Sequence, residues 1–450
     1  MTHSVQLRHN QRDFQFVVDE QVTLWTGSSR FPEPLEDAAF SEAVLHALEH
    51  PTDYPPISGG VVPGDAVAIV LDVELPRPAA ALAGALRALQ QLDLSQIDVV
   101  VAESATEATR DAIREVLPAT ISLTVHSGKS RDDLRYLAAN EAADPIYLNR
   151  RIVDADLVIP ISVARRIDPL MAGSQANVVF PSLSDHRSQA RSRIQSTDVQ
   201  STLKRAHRKS ADEEATRVGW LLGLQWMVEV EVTADGQPAA VRAGTAETLA
   251  AINDQGESHE GAAVASDVVI ACVDGEQQQQ SIANLLRAAL VARKHANQDA
   301  SIVLVCDLAE LGTVLSAEFD EQEDEDEEQE ARNLRRGAES DEEADDLTRE
   351  QASLDLASSV STEDHARRLL HELVNDLDSS LRYLLLSNCD DEEVESFGFG
   401  VIDDEHSLQR LVNGHESCVV LRTAQLAAHH AELASDNASA GTRQSNRDVR

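Results

Sequence analysis

Lysine is nearly missing from the sequence, with four residues, Lys129, Lys204, Lys209 and Lys294, in a chain of 450. A side-chain amine for covalent attachment is therefore restricted to four places, and positive charge rests on arginine. Cysteine is as scarce, at Cys272, Cys306, Cys389 and Cys418, and aromatic residues make up 3% of the chain. No two of these cysteines form a CxxC pair or a zinc-ligand spacing, which excludes a disulfide framework and predicts a reduced, cytoplasmic protein. Three of them sit in or beside apolar runs such as SIVLVC, which predicts buried small hydrophobes. No apolar run approaches about eighteen residues, so no membrane span is expected, and Met1 to Phe14 lacks the apolar core of a secretory signal. Cations are short overall: Lys+Arg 38 against Asp+Glu 78 gives a formal net charge of −40. Such a surface repels phosphate backbones and anionic headgroups, which argues against nucleic-acid and membrane partners.

What remains is a globular chain, 42% apolar, long enough for two or three domains. Ser41 to His50 has helical spacing, and a region rich in Pro and Gly follows from Pro51 to Gly64. Ala66 to Leu71 (AVAIVL) is a nearly continuous apolar run, as expected of a strand covered on both faces. A helix over Pro78 to Leu92, a strand over Asp98 to Ala102 and a helix over Glu103 to Leu117 follow. A third strand-helix cycle is expected over Ile121 to Val125 and Asp132 to Ala139, and Asp156 to Ile161 closes the series. This alternation predicts βαβ units and a mainly parallel sheet.

Ser188 to Ala215 is polar and rich in Arg and Ser, which predicts an exposed helical connection. A second α/β block begins at Leu221 to Thr233, turns through Asp235 and Gly236 into Ala239 to Ala243, and continues to the strand Cys418 to Leu421. Glu318 to Glu350 interrupts it with 17 acidic and 4 basic residues and few apolar ones. Such a segment cannot bury enough surface to offset chain ordering. It is expected to be a disordered, solvated insertion or, in a second reading, an arm that captures a basic protein partner. The expected fold class is α/β: two α/β domains with mainly parallel sheets and a ligand cleft between them, plus this insertion. The expected boundaries are an N-terminal segment 1–40, a first domain 41–190, a connecting helix 191–215, a second domain 216–433 interrupted by 318–350, and a disordered tail 434–450.

Open parallel sheets bind ligands at the carboxyl ends of their strands. The first such end carries Asp72 and Arg77, and a guanidinium fork suits a small carboxylate. The bland reading is a strand-to-helix turn, with Pro78 opening the helix. Arg165 and Arg166 follow the strand DLVIPIS as a second candidate for a carboxylate or phosphate, or as solvated charge. His126 ends another strand, where a lone histidine is more often structural than a ligand-binding residue. Gly59, Gly60 and Gly64 precede their strand, so they form no phosphate-cradling loop, and there is no Gly-x-Ser-x-Gly elbow.

The run GDAVAIVLDVELPRP resembles the first strand and loop of the lactate racemase family, with its Asp-x-Thr-Arg-Pro signature. The likeness continues through HSGKSRDDLRYLAANEAADPIYLNRRIVDADLVIPISVARRIDP, and in the second half through VGWLLGLQWMVEVEVTADGQPAAVRAG, SDVVIACVDG, and SLRYLLLSN to FGFGVIDDEHSLQRL. The resemblance implies a nickel-pincer nucleotide attached to a lysine, a histidine on the metal, and two histidines exchanging a 2-hydroxy acid's alpha proton.

This sequence departs from that pattern at most of those places. Asp72 and Pro76 match the signature, but Glu74 and Leu75 stand for Thr and Arg. Thr106 and Glu107 stand where a His-Arg pair is expected, and Pro169-Leu170 where Pro-His is expected. No lysine lies between Lys129 and Lys204, where the cofactor anchor belongs. His186 follows Pro181 too closely to match the metal ligand, and the family's Gln and Lys fall near Arg287 and Leu290. The expectation is therefore a lactate racemase-like protein that is catalytically degenerate. No catalytic residue, metal ligand or bound cofactor is assigned, and the nickel-pincer nucleotide is expected only if the family chemistry persists. The alternatives are a small-anion-binding or regulatory protein using Asp72, Arg77, His126, Arg165 and Arg166, and an interaction protein acting through its acidic insertion.

Overall fold

The computed structural model describes residues 2–9, 12–28, 33–140, 143–164, 175–194, 214–233, 235–257, 264–314, 362–376, 379–426 and 430–433. The acidic insertion, the tail after 433, and Arg165 and Arg166 lie outside the described residues.

The N-terminal segment joins both a hairpin and a sheet. β1 (His3–His9) and β2 (Arg12–Val18) form an antiparallel hairpin, and β3 (Thr23–Ser28) enters a sheet built otherwise from the second half of the chain. The signal is a period-2 alternation that buries Val5, Leu7, Phe14, Phe16 and Val18, a set that packs with Val268, Ile270, Val303 and Val420.

The first sheet has the order β11-β10-β9-β4-β5-β6. Its parallel strands are β4 (Ala66–Leu71), β5 (Gln96–Val101), β6 (Ser122–Val125) and β9 (Leu157–Val163). β10 (Met227–Val232) runs parallel to β9 and turns back into β11 (Pro238–Gly244). The expected boundary at 216 therefore gives way to a chain that crosses back. Val228 and Val230 complete the core formed by Val67, Ile69, Val99, Val101 and Ile159, and residues of the Asp37–Glu49, Pro78–Leu89 and Glu107–Val116 helices close it on one side. The opposite face buries Ala68, Val70, Val100, Val158 and Met227. Coverage on both faces is why AVAIVL carries no polar alternation.

Residues 134–139, expected to continue a helix, form β7 (Leu134–Ala139), paired antiparallel with β8 (Pro145–Asn149). Tyr136 faces Tyr147 across this ribbon with ring centroids 5.7 Å apart, while Ile146 and Leu148 pack against Phe180, Ala215 and Val218. Cross-strand pairing here overrides the local helical spacing.

The second sheet runs β15-β14-β13-β12-β16-β3-β17. Its further members are β12 (Ser266–Cys272), β13 (Ala296–Val305), β14 (Arg382–Leu386), β15 (Gly400–Val401), β16 (Ser417–Leu421) and β17 (His430–Leu433). All pairs are parallel except β17 with β3. The Ile282–Arg293 helix is buried from Ile282 to Ala292, within the core that also holds Leu369, Leu385 and Val419. A helix covered all round is expected to be apolar all round. Asn284 and Arg287 break that rule, and they mark the junction between the two domains. Cys272, Cys306 and Cys418 are buried free thiols, as the apolar setting of these residues predicts, and Cys389 is half-buried. Among the described residues, no helix is long and apolar enough to cross a membrane.

Candidate functional site at the domain junction

The loop after β4 faces the second domain. Asp72 is buried, and its carboxylate accepts the N–H of Glu74 at 3.0 Å and the N–H of Val163 at 3.3 Å. Its own N–H donates to the Ile161 carbonyl at 3.0 Å, so Asp72 sews the end of β4 to the end of β9. Arg77 adopts left-handed backbone (φ 48°), and Pro78 supplies the first helical position behind it. Its Nε donates to Gln237 Oε1 at 3.1 Å, and its Nη1 to the Leu35 carbonyl at 3.0 Å and to Asp37 at 3.2 Å. Asp72 and Arg77 thus bond the protein's own groups.

The loop is read instead by the second domain. Glu74 Oε1 accepts from Arg287 Nη1 at 2.8 Å, and the Glu74 carbonyl accepts from Gln279 Nε2 at 2.7 Å. Arg287 Nη1 also reaches Asn284 Oδ1 at 2.7 Å, while Asn284 Nδ2 donates to the Gln279 carbonyl at 2.8 Å. Beside this network, the β10–β11 turn meets the loop after β12. A Cβ on Gly236 would lie 2.7 Å from the Gly275 Cα, and both glycines have positive φ, +75° and +122°. Glycine alone fits two backbones this close. Glu74 and Arg287 were visible in the sequence only as departures from a pattern. No sequence pattern singles out Gln279, whereas Asn284 stands at i, i+3 from Arg287 inside IANLLRAALVAR.

Behind the junction, Asp274 follows β12, and Arg422 holds its carboxylate with two bonds, Nε to Oδ2 at 2.9 Å and Nη2 to Oδ1 at 2.8 Å. Thr423 N–H adds a third bond at 2.8 Å. Arg422 Nη1 continues to the Gln6 carbonyl at 3.2 Å, tying the N-terminal hairpin to the carboxyl end of the second sheet.

His126, the remaining candidate within the described residues, is 1% exposed, with Nε2 2.8 Å from the Ser184 carbonyl and Nδ1 3.2 Å from Asn149 Nδ2. Burial pushes its pKa down, against the Ser184 carbonyl and the carboxylates of Glu103, Asp133 and Asp185. It is a buried joint of the first domain.

Of the four lysines, two lie among the described residues. Lys129 is exposed, and Lys294 is an exposed residue capping the Ile282–Arg293 helix. Leu290, near which the resemblance puts a lysine, is buried in the apolar core. His186 opens the His186–Ile194 helix with Nδ1 at 3.2 Å from the Gly128 carbonyl. Among the described residues, no three His, Cys, Asp or Glu side chains are grouped to hold a metal ion. Lys204, Lys209 and residues 165–174 lie outside the described residues.

Comparison with known proteins places this architecture. The lactate racemase N-terminal domain family matches residues 10–165. The lactate racemase apoprotein from Thermoanaerobacterium thermosaccharolyticum has a similar structure, with a TM-score of 0.64 and 11% identity over 94% of this chain and 98% of that one. A structural-genomics protein from Thermotoga maritima is similar with a TM-score of 0.50 and 10% identity, over 83% of this chain and 93% of that one. No curated protein matches the chain.

Proposed function

We propose that this chain, whose residues 10–165 match the lactate racemase N-terminal domain family, is a lactate racemase-like protein that has given up the family's nickel-pincer chemistry. The observation carrying this reading is the Glu74–Arg287 pair: the protein sets its own carboxylate and guanidinium at the domain junction. A buried, paired arginine is neutralised, and separating the partners leaves a charge without compensation. The misfit of Lys129, Lys294, Leu290 and His186 to a tethered metal nucleotide supports the same conclusion. Intact-protein mass and metal analysis, with solvent deuterium exchange into a 2-hydroxy acid, test it. The expected result is a mass equal to that of the polypeptide and no exchange. A covalent adduct, or exchange when cofactor is supplied, overturns the proposal.

A second reading has the same junction bind a small carboxylate or other polar anion, because Arg287 already donates to one carboxylate, that of Glu74. An anion that displaces Glu74 raises the melting temperature by linkage, by about 2.7 kcal/mol of stabilisation at a hundredfold excess over its dissociation constant. A screen of hydroxy acids, sugar acids and nucleotides in which none stabilises the protein removes this reading. The buried free thiols support a cytoplasmic, reducing location. For the acidic insertion we retain the proposal of a basic protein partner. Deletion of 318–350 should then abolish capture of that partner while leaving the melting temperature unchanged.

A further inference from the structure

His126 joins three pieces of the first domain. It follows β6, and its N–H donates to the Val101 carbonyl at 2.8 Å. The Ser184 carbonyl can only accept, so the imidazole Nε2 facing it at 2.8 Å carries the proton. The orientation of Asn149 is fixed independently: its Oδ1 accepts from Arg151 N–H at 3.0 Å as the cap of the Arg150–Val153 turn. That leaves Asn149 Nδ2 to donate to His126 Nδ1 at 3.2 Å, so Nδ1 is an acceptor and the ring is neutral.

The segment held by this ring is stitched to the same place by other bonds. Asn149 N–H donates to the Leu183 carbonyl at 2.9 Å, and Gln189 Nε2 reaches the Ser184 carbonyl at 3.0 Å. His186 N–H donates to the Gly128 carbonyl at 3.1 Å. A Cβ on Gly128 would lie 3.1 Å from the Ser184 carbonyl oxygen, so the contact is close-packed.

We propose that His126 is a proton-sensitive latch that holds the 183–189 segment and the end of β8 on the carboxyl edge of the first sheet, and releases them in acid. Protonation puts a hydrogen on Nδ1, which then confronts the amide hydrogens of Asn149. If Asn149 turned to offer Oδ1 instead, it would give up the Arg151 cap. The charged groups around the ring are Glu103 from the loop after β5, Asp133 from the turn before β7, and Asp185 beside Ser184, with His186 next in sequence. Asp185 is already occupied by the N–H groups of Arg187 and Ser188 at 3.0 and 3.1 Å. Burial is the largest influence, and it holds the folded histidine below its ordinary value. The released state therefore takes up the proton first. The latch is fully engaged above the ordinary histidine pKa and is lost as the pH falls through the folded value.

The test is amide hydrogen exchange of the full chain at about pH 7.5 and about pH 5, corrected for the intrinsic rate, with the wild type and His126→Gln. Glutamine can offer the same donor to Ser184 and an acceptor to Asn149 without titrating. Protection of 146–149 and 183–189 in the wild type should fall by about tenfold per pH unit between the ordinary histidine pKa and the folded value. Protection of 268–272 should hold, and the variant should show no fall. Imidazole nitrogen shifts of the wild type provide a readout that does not depend on the variant folding. An Nε2–H tautomer that titrates together with the loss of protection supports the latch. A protonated Nδ1 at neutral pH, unchanged protection of 183–189 in acid, or the same fall in His126→Gln overturns it.

Discussion

Glu74 and Arg287 meet across the two domains, Oε1 to Nη1 at 2.8 Å, with side chains 12% and 6% exposed. Both stand where the family resemblance leads to other residues, so two departures that look unrelated along the chain complement each other in space. Removing one partner alone, as in Glu74→Ala or Arg287→Ala, should lower stability by about 3–5 kcal/mol, because the other charge stays buried. The double variant Glu74→Leu/Arg287→Met should recover most of that loss. Denaturation midpoints of the four proteins check it.

Asp72 and Arg77 should behave as structural residues. Asp72→Ala leaves two buried N–H groups, those of Glu74 and Val163, without an acceptor and should cost about 1–3 kcal/mol. Asp72→Asn, which keeps one acceptor, should cost less. Arg77→Lys cannot serve Gln237, Leu35 and Asp37 together and should be destabilising as well. Urea titrations rank these variants, and a ranking set by ligand affinity instead would return both residues to the binding site.

The parallel strands of both sheets were legible because burial on two faces leaves runs such as AVAIVL and SIVLVC with no alternative. The ribbon β7–β8 was not, since Leu134 and Leu137 have helical spacing and only the pairing of Tyr136 with Tyr147 decides the matter. The junction was harder still. Glu74 and Arg287 are separated by more than two hundred residues, and no local pattern announces that a carboxylate and a guanidinium will share one buried place. Asp72 and Arg77 were found as residues, but their partners, Val163, Gln237 and Leu35, lie on other elements and were invisible.

Thiol chemistry should follow burial. Burial pushes the Cys306 thiol up to about 12 and raises Cys272 and Cys418 strongly as well, so none is a thiolate near neutrality. At about pH 8 a charged aromatic disulfide reagent should titrate at most one thiol, the half-buried Cys389, and all four after denaturation. Rapid labelling of a second thiol in the native protein would contradict the core packing described above.

Salt should stabilise the protein. A net charge of −40 repels itself, and raising ionic strength from about 0.1 M to about 1 M shortens the Debye length from about 10 Å to about 3 Å. Melting temperature should rise steeply over this range and flatten beyond it. A control in which sulfate and chloride act alike at equal ionic strength assigns the effect to screening, whereas a strong preference for sulfate assigns it to solvent exclusion.

β3 sits between β16 and β17, its parallel partner lying at Ser417–Leu421. During translation the first strands therefore leave the ribosome long before their neighbours exist. At roughly 5–20 residues per second, the interval from Thr23 to Ser417 lasts about 20–80 s. For that time the apolar side of the nascent β1–β2 hairpin and an unpaired β3 edge must be shielded from other chains. The second lobe is thus completed only near the end of synthesis, around a first lobe whose own sheet is finished by Gly244.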